Sequence, residues 1–117
     1  MSNTPEEMSR AIARAASDKK AQDIVIMRMA ELTTAADYFI ICSANTATQV
    51  RAIADNIEDE MLEKHEKPYL HKEGYREGEW VLLDYGDCVA HVFMTESRAF
   101  YALERLWSDA PAEHYED

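Results

Sequence analysis

The segment Trp80-Val-Leu-Leu-Asp-Tyr-Gly-Asp-Cys-Val-Ala-His-Val-Phe93 sets two carboxylates, a thiol and an imidazole among residues that otherwise suit a buried sheet. Asp84 and Asp87 could hold magnesium for nucleotidyl transfer. That chemistry needs two or three carboxylates on one face and a flexible glycine loop that lets phosphate approach the backbone. The loop Ser43-Ala-Asn-Thr46, between an apolar run and a long helical pattern, has the right place but no glycine. On one regular strand Asp84 and Asp87 would point to opposite faces, and only a turn between them could bring them together. A thiol nucleophile, Cys42 or Cys88 assisted by His91, would need partial exposure and a lowered pKa, and neither cysteine has a basic cluster beside it. His91, between Ala90 and Val92, suits a hydrogen-bonded structural or contact role better than that of a base. His65, His71 and His114 form no i, i+4 pair and have no cysteine at zinc spacing. Neither a metal nor another cofactor is expected.

These residues must be positioned by a small set of elements. Thr4-Pro5-Glu6-Glu7 is a capping box with proline at the first helical position, and it predicts a helix over 5–17. Its stripe of Met8, Ile12 and Ala15 is thin and predicts light packing. Residues 23–29 and 37–43 are short, branched and aromatic, and predict two paired strands. The second lacks alternation and should be buried on both faces at the centre of the sheet. Thr46 and Gln49 open a second helix whose apolar stripe runs Val50, Ile53, Ala54, Ile57, Met61; Pro68 prevents its continuation. Residues 69–71 predict a short edge strand. Residues 80–85 and 88–95 predict a hairpin across Gly86-Asp87, and 96–107 a last helix with Phe100, Leu103 and Trp107 on one side. The order is α-β-β-α-β-β-β-α, an α/β arrangement with helices packed on a mixed sheet. A single domain over 1–110 is expected, with 111–117 an acidic tail that frays.

Charge narrows the partners. Lys and Arg total 12 against 23 Asp and Glu, a formal net charge of −11. Such a chain repels a phosphate backbone, so extensive nucleic-acid binding is not expected, and a basic protein surface is the favoured partner. The apolar runs fall short of the roughly 18 residues of a membrane span, and Met1-Ser-Asn-Thr-Pro-Glu-Glu7 lacks a signal-peptide layout. A soluble cytoplasmic protein is expected. Cys42 and Cys88 lie in apolar runs and read as buried free thiols.

Alternation over 80–85 puts Trp80, Leu82 and Asp84 on one face and Val81, Leu83 and Tyr85 on the other. If the helices gather on one side, Trp80 and Leu82 face outward beside a carboxylate, the composition of a protein-binding hot spot. If not, Trp80 is core. Both placements are open at this point.

Asp37-Tyr-Phe-Ile-Ile-Cys42, Ser43-Ala-Asn-Thr-Ala-Thr-Gln-Val-Arg-Ala-Ile-Ala-Asp55, Trp80-Val-Leu-Leu-Asp-Tyr-Gly-Asp87, His91-Val-Phe93 and Arg98-Ala-Phe-Tyr-Ala-Leu-Glu-Arg-Leu-Trp107 together resemble the ribosomal silencing factor family, RsfS or Iojap, over residues 8–110. The resemblance implies a nucleotidyltransferase-like fold without the catalytic residues. It also implies a non-enzymatic translation repressor that binds the large ribosomal subunit through its fourteenth protein and blocks joining with the small subunit. A homodimer of the free factor is implied as well. On the family's signature strands Trp80, Asp84, Asp87 and His91 are the first contact candidates; Glu73, Leu82 and Met94 follow from proximity and parity. Tyr101, Leu103 and Trp107 match equally well but at helical spacing suit the core. Cys88 and Ala90 stand where bulkier branched residues are usual. Two other readings remain: a residual metal-dependent nucleotidyltransferase using Asp84 and Asp87, and a large-subunit assembly factor using the same surface.

Overall fold

In the computed structural model, which describes residues 4–116, the chain runs α1 (Pro5–Asp18), β1 (Gln22–Arg28), β2 (Tyr38–Ala44), α2 (Ala47–His65), β3 (His71–Glu73), β4 (Trp80–Asp84), β5 (Cys88–Met94), α3 (Thr95–Tyr101), α4 (Leu103–Leu106) and β6 (Ala112–His114). Met1 to Asn3, where no leader is expected, and Asp117, at the end of the tail expected to fray, lie outside the described residues. The predicted order holds, with two differences near the C-terminus.

Thr4 caps α1 reciprocally: its hydroxyl accepts from the Glu7 amide at 3.2 Å, and its own amide donates to the Glu7 carboxylate at 3.2 Å. Light packing was the expectation for this helix, but Met8, Ser9, Ile12, Ala13, Ala15 and Ala16 are all buried. The alanines explain the difference. They add little to an apolar stripe, yet their small side chains allow close approach, and Asn56 of α2 donates to the Ala15 carbonyl at 2.8 Å.

The sheet order is β3-β4-β5-β2-β1-β6. β2 lies at its centre, parallel to β5 and antiparallel to β1, as its uninterrupted apolar run requires. One face is covered by α1 and α2 and contains Ile26, Ile40, Cys42, Val81, Leu83, Tyr85 and Val92. The opposite face holds Val25, Met27, Ile41 and Phe93, with Leu103, Trp107 and Ala110 packed on it.

The single last helix expected over 96–107 is broken at Ala102, which adopts a left-handed conformation with φ +47°. A straight helix would have kept Phe100, Leu103 and Trp107 on one stripe. The break turns Leu103 and Trp107 onto the sheet and leaves Phe100 81% exposed and Tyr101 51% exposed. Tyr101 is therefore not the core residue that its spacing suggested.

The tail also departs from expectation. Ala112–His114 pair antiparallel with β1, and the chain is tied on either side by Arg28 N to Pro111 O (2.8 Å) and Tyr115 N to Ile24 O (2.8 Å). Backbone hydrogen bonding to an open sheet edge places this segment, and its exposed Glu113 side chain pairs with Arg10 of α1 at 2.8 Å. The edge strand β3 begins two residues later than expected, at His71.

Candidate functional site

The alternation read from 80–85 is realised: Val81, Leu83 and Tyr85 are buried under the helices, while Trp80, Leu82 and Asp84 lie half-buried on the other face. Cross-strand register extends that face. Glu73 stands opposite Leu82, His91 opposite Leu82 from the other side, and Phe93 opposite Trp80. The helices do not all gather on one side, because the segment over 95–110 crosses this second face. It covers the β5, β2 and β1 portion and leaves the β4 and β3 portion accessible.

Trp80 is held on several sides. Its ring stacks on Phe93 with centroids 4.8 Å apart and an interplanar angle of 28°, and Tyr101 lies 4.9 Å away. Its indole Nε1–H donates to Nδ1 of His91 at 3.1 Å. Tyr101 in turn meets the ring of Phe100 edge-on at 5.2 Å. An aromatic row thus runs from Trp80 outward to exposed Phe100, and helical periodicity could not reveal it because the break at Ala102 creates it. The signal that could have found it is Phe100-Tyr101 itself, adjacent aromatics of which a short helix can bury only one.

His91 is 4% exposed, so it is not itself a surface contact. Burial pulls its pKa down to about 4, and the indole donor occupies the Nδ1 lone pair, which places the neutral ring's proton on Nε2. That Nε2 finds no partner among the described residues. Met94 is likewise displaced from the expected site. It aligns with Ala44 in the β2–β5 register and packs on the α1–α2 side of the sheet, because a strand that points His91 to one face points Met94 to the other. Asp84 and Asp87 flank the hairpin turn. The Asp84 carboxylate accepts from the Gly86 amide at 2.7 Å, and Asp87 is exposed. The accessible set is therefore Trp80, Leu82, Asp84, Asp87 and Glu73, with Tyr101 and Phe100 added.

The chemistry considered for other groups meets specific obstacles. Ser43, where a nucleotidyltransferase would bind phosphate, is buried; its hydroxyl donates to the Gln22 carbonyl at 3.4 Å and accepts from the Arg98 guanidinium at 3.0 Å. Among the described residues no three His, Cys, Asp or Glu side chains are grouped to hold a metal ion. Both cysteines are free and buried, and burial pushes each thiol up to about 12, the reverse of nucleophile activation. Among the described residues no helix is long and apolar enough to cross a membrane.

Comparison with known proteins gives these residues their context. The family model described as ribosomal silencing factor during starvation, RsfS, matches residues 2–117, so the match continues through β6. The ribosomal silencing factor RsfS of Bacillus subtilis is 44% identical over 99 residues, covering 85% of this chain and 83% of that protein. A mouse protein named mitochondrial assembly of ribosomal large subunit protein 1 is 30% identical over 94 residues, covering 77% of this chain and 40% of its own length. The crystal structure of a Chromobacterium violaceum protein superposes with a TM-score of 0.87 at 31% identity, covering 91% of this chain and 88% of that one. The chain belongs to the RsfS family of ribosomal silencing factors.

Proposed function

We propose that this protein represses translation without catalysis, by docking its Trp80 face on the basic fourteenth protein of the large ribosomal subunit and blocking the small subunit sterically. The observation that carries the reading is the accessible aromatic surface of Trp80, Tyr101 and Phe100 beside Leu82 and the carboxylates of Glu73, Asp84 and Asp87. An apolar centre with an acidic rim complements a basic protein surface: the charge steers the encounter and the aromatics hold the complex. A net charge of −11 disfavours ribosomal RNA as the main contact and is consistent with a protein partner. Self-association of the free factor belongs to the same proposal.

The test is sedimentation of purified large and small subunits with and without the protein at joining magnesium concentration. Co-sedimentation with the large subunit and loss of the joined peak are expected; a factor that stays at the top of the gradient while joining proceeds would overturn the reading. A second reading, escort of the large subunit during its maturation, is favoured by the name of the mouse relative. Accumulation of subunit precursors in a deletion strain, under conditions where joining is normal, would distinguish it.

A further inference from the structure

We infer that His91 is a positioning residue for docking: it fixes the Trp80 indole in the orientation presented to the partner, and makes no contact of its own. The inference rests on the reading of the Trp80 face as the docking surface. The stacked ring of Phe93 and the tilted ring of Tyr101, at 47°, limit tilt of the indole, but ring-to-ring packing leaves rotation within its plane weakly defined. The directional bond from Nε1–H to His91 Nδ1 removes that freedom. His91 is itself fixed. It lies on β5 between β4 and β2, opposite Leu82 and Ile41, and its ring stands 4.7 Å from Phe39 at 67°.

The cost of this arrangement argues that it serves Trp80. An apolar side chain at position 91 would leave no polar atom of that residue buried, whereas the imidazole keeps Nε2 buried without a partner among the described residues. What the imidazole adds is an acceptor for the indole N–H at 3.1 Å, fixed within the sheet as solvent is not. Association is weakened when a contact residue must be ordered at the moment of binding, so a preset indole strengthens docking without enlarging the interface. Depression of the His91 pKa keeps the acceptor available across the physiological range.

The wild-type protein provides the first test. With nitrogen-15 label in histidine and tryptophan, Nδ1 of His91 should show the shift of an unprotonated ring nitrogen and a through-bond coupling to Trp80 Nε1; a protonated Nδ1 or absence of coupling would overturn the inference. The second test compares His91→Leu, which removes the acceptor, with His91→Asn, whose carbonyl oxygen can take the Nδ1 position. Exchange of the Trp80 indole proton should accelerate in His91→Leu, with the Trp107 indole as an internal control for the fold. Affinity for the isolated ribosomal protein should fall about tenfold, the loss typical of an interrupted buried hydrogen bond, and His91→Asn should restore both readouts. Faster exchange with unchanged affinity would reduce His91 to a structural residue. A wild-type protein that does not bind would remove the docking reading, while coupling and exchange still decide whether His91 sets the indole.

Discussion

Arg98 and Glu104 are joined across the break at Ala102, guanidinium Nε to carboxylate at 2.8 Å, so the two short helices that cover the second sheet face are tied to each other. The same guanidinium reaches Ser43 at 3.0 Å and the Gln22 carbonyl at 3.4 Å, and ties them to the sheet as well. Arg98→Ala removes all three contacts, and the expected destabilisation is about 2 kcal/mol. Glu104 is more exposed, and its loss should cost less than about 1 kcal/mol. Urea denaturation measures both; equal effects would contradict this ranking.

Phe100 separates docking from folding better than Trp80 does. It is 81% exposed and, among the described residues, its ring meets only that of Tyr101, so Phe100→Ala should change stability by less than about 0.5 kcal/mol. If it belongs to the interface, affinity for the ribosomal protein should still fall, by about 1 kcal/mol, against at least about 2 kcal/mol for Trp80→Ala. Calorimetric titration reads both, and an unaltered Phe100→Ala titration places that ring outside the contact.

Acid should weaken the fold through His91. Its pKa is about 4 in the fold against 6.5 for an ordinary histidine, so the unfolded chain takes up the proton first as pH falls. This contribution to stability is full above pH 6.5 and is lost progressively between 6.5 and 4. Between pH 7 and pH 5 the wild type should lose about 2 kcal/mol more than His91→Asn, whose side chain does not titrate. Urea midpoints of both proteins at the two pH values give the difference; parallel losses would mean that His91 is not buried in its neutral form.

The two thiols should be silent in the native protein. With both pKa values pushed to about 12, Cys42 and Cys88 carry almost no thiolate at pH 8, and burial denies reagent access. Ellman's reagent should report no fast-reacting thiol until denaturant is added, and two thereafter. Rapid labelling of Cys88 alone would show that the α1 entry, where its Sγ lies 3.3 Å from the Pro5 carbonyl oxygen, opens readily.

Much of this organisation was legible in the sequence because local rules and tertiary packing agree there. The Thr4 and Thr46 caps, the α2 stripe and the alternation of 80–85 each state in one segment what the whole fold uses. The candidate face was legible through the same alternation, which set Trp80, Leu82 and Asp84 together. Met94 lies three residues from His91 on one strand, so parity turns it to the α1–α2 side of the sheet, away from Trp80. The exposed aromatics of α3 were missed because Ala102, a good helix former, takes a conformation that its own type disfavours. The strand β6 was missed because pairing to β1 is a relation between distant segments, visible in neither alone. His91 was recognised as a hydrogen-bonding residue, but its partner Trp80 lies on a neighbouring strand.

The strand pairings between distant segments also bear on how the molecule assembles in time. The central β2–β5 pair cannot zip up until α2, β3 and β4 have been made, and β1 waits for β6, made last of the elements. During synthesis the β1 edge therefore stays open while the earlier elements collapse. Contacts between such remote segments slow folding, because loops must close before any pairing repays them. The sheet is thus completed only after every other element has been made, and its β1 edge is the last part of the fold to be covered.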